Sequence, residues 1–394
     1  MNKQVVIWGD DHHNALGILR MLGNRGFDVH FIINGHAKLI ASASKYCTRY
    51  VEIIGLDEGL RYLLENYQDA ENKAVLLFTA DKYSETANNN LNLLEPYFYV
   101  AGPSKQGVLS ELDDKYTMGM LAKECGINIP NTILIPHDDP HSMDDFPLIL
   151  KPCTPTNKDF KTKIVKTEKA YLKAIKSLVP EKRYVVQKFI PKEADGLVYG
   201  CRTWDGVTHL SGICVRNRWS DDGCGSFGYI TPDIPNTINK QGIADFLEKI
   251  DFRGIFSVEY AICKDASYFY EFNLRNDGTA VLFYQGGANP VLEYVNSCFG
   301  IKGNVQTTVN GKQYLINEIW DKFNVKDGVI SKRQYEEDFK KATIFFYYDP
   351  DDMKPYEIQI ANSKKRYLRR IISKSLINKI RLEIKKKING CKKN

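Results

Sequence analysis

Residues 254–278, GIFSVEYAICKDASYFYEFNLRNDG, constrain this chain more than any other stretch. The runs Gly254–Ile262 and Tyr268–Leu274 read as the two strands of a hairpin. Pairing them about a turn centred near Asp265 sets Glu259 opposite Glu271. Side chains alternate along a strand, so Phe256, Val258, Tyr260 and Ile262 share an apolar face with Tyr268, Tyr270, Phe272 and Leu274. The other face carries Ser257, Glu259, Glu271, Asn273 and Arg275. Like charges directly opposite destabilise a sheet, and in a half-buried setting two close carboxylates repel or one takes up a proton. A divalent cation removes that conflict. Mg²⁺ takes oxygen ligands, commonly one or two carboxylates together with phosphate oxygens. Asn273 adds a neutral oxygen, and Arg275 reaches towards the phosphate side. The plainer alternative is a solvated face on which Glu and Arg pair, worth about 0–1 kcal/mol.

The start of the chain has a different texture. The run Gln4–Trp8, the turn Gly9-Asp10-Asp11-His12-His13-Asn14, a helical pattern closing at Gly23 or Gly26, and the run Asp28–Ile33 make a βαβ unit of a parallel sheet. Ala74–Phe78 and Phe98–Ala101 read as further strands of it. The first turn lacks a full Gly-x-Gly-x-x-Gly, so a dinucleotide site is not supported. His12 and His13 are read as a polar loop or, at the sheet end where α/β folds place ligands, as the wall of a substrate pocket. A helical segment over Leu112–Gly126 precedes short Pro-bounded strands at 146–152 and 184–191. Asp205-Gly206 marks a hairpin between Leu197–Trp204 and Val207–Val215, and a helix is expected near Asn239–Lys249. The resulting division is 1–110, 111–190, 191–350 and 351–394, with the role of 311–363 open beyond completing a domain.

The carboxylate hairpin and its order in the chain resemble the metal site of the ATP-grasp superfamily, in which Glu-x-Asn-x-Arg follows an upstream strand carboxylate. D-aspartate ligase-like members and carbamoyl-phosphate-synthase-like ATP-binding regions are the nearest analogues. The resemblance implies an α/β N-terminal domain followed by an ATP-grasp α+β pair of subdomains, with ATP and Mg²⁺ between the last two. It implies Glu259, Glu271 and Asn273 as metal ligands, and Lys115 (after Asp114) and Lys151 (closing Pro-Leu-Ile-Leu-Lys-Pro) as phosphate contacts. It implies Gln187, Lys188, Phe189 and Ile190 as the hinge that receives adenine, and Glu193 or Asp195 as the ribose acid. Arg216, Arg218 and Arg275 become candidate catalytic cations near the γ-phosphate or substrate. The family's glycine-rich phosphate loop is replaced by Cys153-Thr154-Pro155-Thr156-Asn157-Lys158-Asp159-Phe160, where Pro155 lacks a donor and Thr154, Thr156, Asn157 and Lys158 offer side-chain donors. Family members phosphorylate a carboxylate with Mg-ATP and let an amine attack the acyl phosphate. The implied activity is therefore carbon–nitrogen ligation, with amino acids and cell-envelope precursors as candidate substrates. The alternatives are a catalytically weak or inactive ATP-binding protein that tethers a partner or membrane, and a scaffold whose hairpin acids are merely exposed.

Charge is distributed unevenly. Thirteen Lys or Arg and one acid, Glu383, fall in residues 364–394, a surplus of twelve positive charges. The whole chain carries +6, so the remaining 363 residues sum to −6. Leu368, Ile372, Leu376, Ile380, Ile384 and Ile388 recur every four residues, which predicts one apolar stripe on a basic terminal helix. That helix is read as packing on its own domain or as lying on an anionic membrane surface; nucleic acid is disfavoured because no aromatic platform accompanies the charge. No apolar run reaches the ~18–20 residues of a membrane span, and the start turns polar after about five apolar residues, short of a signal-peptide core. The nine scattered cysteines never form Cys-x-x-Cys, which argues against a disulfide framework or a zinc site. The expectation is a cytoplasmic protein with free thiols, peripheral at the inner membrane face if the tail binds lipid.

Overall fold

The computed structural model describes residues 3–154, 159–160, 162–220 and 225–390, the last eighteen of them through their backbone. Pro155, Thr156, Asn157 and Lys158 of the substituted phosphate loop therefore lie outside the described residues, as do Asp221 and Asp222.

Five parallel strands open the chain: β1 (Gln4–Gly9), β2 (Asp28–Asn34), β3 (Arg49–Ile53), β4 (Ala74–Phe78) and β5 (Phe98–Val100), in the order β3-β2-β1-β4-β5. β1 and β4 are almost continuously apolar because helices cover both faces. Those helices include α1 (His13–Leu22), α2 (Leu56–Asn66), α3 (Asp81–Asn89) and α4 (Leu91–Leu94). The two-residue β6 (Gly102–Pro103), α5 (Val108–Leu112) and α6 (Lys115–Glu124) lead out. Asp114 caps α6 through the amides of Tyr116 and Thr117.

A small antiparallel sheet follows, built from β7 (Thr132–Ile135), β8 (Leu148–Pro152), β9 (Lys163–Val165) and, after α7 (Glu168–Ile175), β10 (Tyr184–Lys188), ordered β7-β10-β8-β9. Leu148, Leu150, Tyr184 and Val186 form its core with Tyr171 of α7. Alternation puts Lys151 and Gln187 on the opposite face.

The third sheet contains β11 (Ala194–Arg202), β12 (Thr208–Trp219), β13 (Gly225–Thr231), β14 (Phe252–Ile262), β15 (Ser267–Asn273), β16 (Gln313–Ile316) and β17 (Ile344–Phe345), ordered β15-β14-β11-β12-β13-β16-β17, with β6 pairing onto β14. One face buries Val198, Ile213, Phe256, Val258 and Phe272 against α8 (Lys240–Lys249). The other face packs Leu197, Tyr199, Cys201 and Cys214 into the same core as the parallel sheet, α9 (Ala280–Gln285) and α10 (Pro290–Cys298). Asp195, Arg216 and Glu259 continue this second face by alternation.

Residues 313–352 extend the sheet edge through β16, α11 (Trp320–Lys326), α12 (Lys332–Lys341) and β17, then strap the chain back to its start. Buried Arg20 of α1 donates to Asp352 Oδ2 at 3.0 Å and to the carbonyl of Tyr347 at 2.9 Å. The chain ends in α13 (Lys354–Gly390). The four-residue row from Leu368 to Ile388 does not form a straight stripe on it. At about 100° per residue each step advances the row by about 40°, so it winds around the helix. Leu368 and Ile372 are 59% and 66% exposed, while Tyr356, Ile360 and Tyr367 rest on the core.

Candidate active site

The hairpin register holds: Glu259 pairs with Glu271, and Ser257 with Asn273. The sheet shifts register between Glu259 and Tyr260, so that Tyr260 faces Phe269 and Tyr270 is the extra residue of a β-bulge. Phe269 therefore enters the core, and Tyr270, expected there by alternation, turns to the side of Glu271 instead. Asn273 Nδ2 donates to Ser257 Oγ at 3.1 Å and to Glu259 Oε1 at 3.5 Å. Its Oδ1 accepts from Arg275 at 3.0 Å and keeps a second lone pair. Burial pushes the Glu259 carboxyl up, and the neighbouring Asp277 and Glu271 push it further against the pull of Arg216. A surplus of negative charge at a partly buried carboxylate pair is what a divalent cation relieves. Two carboxylates and an amide oxygen suit Mg²⁺ that completes its shell with phosphate and water. Among the described residues no three His, Cys, Asp or Glu side chains converge on one point, so the fit is to a metal shared with a ligand.

Positive charge gathers beside this pair. Lys151 extends from β8, Lys115 opens α6 with its amide on the carbonyl of Cys153 (2.8 Å), and Lys192 precedes β11. Burial lowers the Lys151 pKa, Lys115 and Lys192 lower it further, and Glu271 opposes them. The ammonium groups of Lys151 and Lys192 each stand 5.6 Å from the Tyr270 ring. Gln187 accepts from Lys151 at 3.3 Å and donates to Thr132 Oγ1 at 3.1 Å, which fixes both side chains. A cleft of about 330 Å³ runs past Lys115, Tyr270 and Glu271 to Asp81 and Asp113.

The hinge is partly committed. The amides of Lys188 and Phe189 bond the carbonyls of Asn131 and Pro147, both at 3.0 Å, and the Lys188 ammonium pairs with Asp145. Ile190 has no such backbone bond among the described residues. Asp195 pairs with Lys192 and accepts from Trp219 Nε1 at 2.7 Å, whereas the Glu193 side chain is exposed.

The three arginines separate. Arg216 lies on the Glu259 face, attracted by Glu259, Asp277 and Asp195, with Nε buried and without a hydrogen bond among the described residues. Gly225 makes room for it, since a Cβ there would come within 2.3 Å of Arg216 Cδ. The register then shifts between Arg216 and Arg218, leaving Asn217 bulged, so Arg218 pairs opposite Phe227 and points to the other face. There it binds Asp321 (3.0 Å) and Asp338 (2.7 Å), a brace for α11 and α12 rather than a member of the site. Arg275 is held by Asp81 of α3 through two 3.0 Å bonds, which ties the end of β15 to the parallel-sheet region, and it also pairs with Asp277 at 3.4 Å.

The site draws in residues not singled out from the sequence. Asp277 joins the acids, and Lys192 and Tyr270 lie beside Lys151. A charge count across the hinge could have flagged Lys192, whereas the bulge that turns Tyr270 leaves no composition signal. His13 packs on Gly278, where a Cβ would come within 2.5 Å of Nε2, so the turn after β1 borders the loop that carries Asp277. Burial lowers the pKa of both His12 and His13 and favours neutral rings.

No family model matches this sequence, and no curated protein matches it. Solved structures do match. N5-carboxyaminoimidazole synthetase from Staphylococcus aureus, complexed with ADP, superposes with TM-score 0.63 at 11% identity over 86% of both chains. N5-carboxyaminoimidazole ribonucleotide synthetase from Thermus thermophilus gives 0.62 at 15% identity over 79% of this chain and 83% of that one. L-amino acid ligase from Bacillus licheniformis gives 0.54 at 14% identity over 75% and 74%. At such identities what is shared is the fold alone. The chain has the ATP-grasp fold.

Proposed function

We propose that this protein is an ATP-dependent ligase that phosphorylates a carboxylate and joins the acyl phosphate to an amine. The observation that carries the reading is that the carboxylates of Glu259 and Glu271 and the ammonium groups of Lys115 and Lys151 gather in one region with no ion pair between them among the described residues, while Asp277 pairs with Arg275 and Lys192 with Asp195. Mg-ATP would supply counter-charges to those four groups. Glu259, Glu271 and Asn273 would hold Mg²⁺, which when bound neutralises phosphate oxygens during transfer. Lys115, Lys151 and Lys192 would bind those oxygens, and Arg216 would offset charge as the phosphoryl group moves. The Ile190 amide and the second lone pair of Gln187 Oε1 would read adenine. The exposed Glu193 suits the ribose better than Asp195, which Lys192 and Trp219 engage. Arg275 would position Asn273 and Asp81 rather than touch phosphate. The acid and amine would enter where the turn with His12 and His13 meets the Asp277 loop, at the C-terminal end of the parallel strands.

The test is release of ADP and phosphate from Mg-ATP across a panel of amino acids. Stimulated release by at least one acid–amine pair supports ligation. Intact Mg-ATP binding with no stimulation by any pair favours the second reading, a nucleotide-binding protein without ligase chemistry. That reading draws on the loop after Lys151, which has no glycine amide to cover the γ-phosphate.

A further inference from the structure

α13 spans 37 residues, about 55 Å of helix. Its first half is anchored: Tyr356, Ile360 and Tyr367 pack on the core, Tyr367 lies against Phe323 with centroids 5.1 Å apart, and Arg370 pairs with Asp327 at 2.7 Å. The second half has a different pattern. At about 100° per residue, positions Leu376, Ile377, Ile380, Ile384 and Ile388 fall within an arc of about 120°, with Leu382 outside it and Lys387 inside it. Lys374, Lys379, Arg381, Lys385 and Lys386 fall on the remaining circumference. The distal arc is turned by about 110° from the arc of Tyr356, Ile360 and Tyr367, so it does not continue the row that seats the helix on the globule.

We propose that residues 376–390 lie in the plane of an anionic lipid surface, with the distal arc in the acyl boundary and the basic positions at the headgroups. No helix among the described residues is long and apolar enough to cross a membrane, which leaves an in-plane seat. Charge complementarity selects the partner. Residues 364–394 carry a surplus of twelve positive charges, while the rest of the chain sums to −6 and is itself repelled by an anionic surface. No Phe, Tyr or Trp follows Tyr367, so a single-stranded nucleic acid would find no stacking platform. The four-residue spacing of the distal row departs from the heptad that a second copy would need for a coiled coil.

The full-length protein is to be mixed with phosphatidylglycerol–phosphatidylcholine vesicles and with pure phosphatidylcholine vesicles, and sedimented. Binding is expected to the first only, and to weaken as salt rises. Ile380→Ser with Ile384→Ser keeps the net charge and should lower the partition at least about tenfold. Lys385→Gln with Lys386→Gln should lower it by about tenfold or more. Circular dichroism and the Tm of each variant check folding. Unchanged binding by both double variants overturns the proposal, as does equal binding to both vesicle types. Homopolymeric RNA bound without vesicle binding assigns the tail to nucleic acid, and a dimer broken by the isoleucine variant without vesicle binding assigns it to a second copy; either result overturns the proposal. Glu271→Ala should bind vesicles as wild type, so failure of the ligase reading leaves this test standing.

Discussion

Arg216 and Arg218 stand two residues apart on β12 and serve opposite ends. Arg218 meets carboxylates on two sides: Asp321 fully buried, Asp338 nearly so, and the Phe227 ring 4.5 Å away. Arg216 faces a cluster in which Glu259, Asp277 and Asp195 crowd together while its own Nε is unbonded among the described residues. In the first corner one guanidinium bonds both carboxylates, and the corner holds the fold. In the second, Asp195 pairs with Lys192 and Asp277 with Arg275, while Glu259, Glu271, Lys115 and Lys151 have no ion pair among the described residues. Charges bonded to one another mark structure here, and charges without an ion pair among the described residues mark the site.

Breaking the matched corner should give the largest effect. Arg218→Met removes the guanidinium that pairs with buried Asp321 and should cost about 3–5 kcal/mol, lowering Tm by roughly 4–6 °C for a chain of this length. ATP affinity should stay within about twofold, since the two regions share no partner. A stable Arg218→Met protein with lost ATP binding would invert the assignment. Lys151→Met is the converse: ATP affinity falls by about tenfold, while Tm holds or rises because a cation with a burial penalty is removed. Lys151 also sets a pH dependence. Burial holds its pKa below that of an ordinary lysine, so the charge proposed to bind phosphate is lost on the alkaline side earlier than for an exposed lysine. Wild-type ATP affinity should drop as pH rises through that lowered value, and calorimetry should find the drop absent in Lys151→Met. Tyr270→Leu should have the smallest effect, a two- to fivefold loss of ATP affinity corresponding to about 0.5–1 kcal/mol of cation–π attraction. An unchanged affinity would remove Tyr270 from the site.

Much of this was legible before any coordinates. Glu259 and Glu271 pair as the hairpin reading expects, but the turn centres between Lys264 and Asp265 and by symmetry alone would set Glu259 opposite Tyr270; the bulge at Tyr270 brings Glu271 there instead. The continuous apolar runs of β1 and β4 read directly as covered parallel strands. Strict alternation failed at both bulges. One inserted residue turned Tyr270 towards the ligand side and Arg218 away from it, and nothing in residue type announces a bulge. Arg275 reads as a phosphate contact from its motif alone. Its capture by Asp81 depends on a residue 194 positions away, beyond the reach of local pattern. The apolar row of α13 failed through arithmetic rather than context, because a step of four on a 3.6-residue turn cannot stay on one side. The role of 311–363 became visible only through Arg218 and Arg20, which tie that segment to the large sheet and to α1.

Calorimetric titration of ATP with and without Mg²⁺, on wild type and on Glu271→Ala, tests the central claim most directly. The account predicts that wild type binds ATP at least about tenfold more tightly with Mg²⁺, and that Glu271→Ala loses this gain while keeping its Tm. Equal affinity in all four titrations, or a metal gain that survives Glu271→Ala intact, would contradict it.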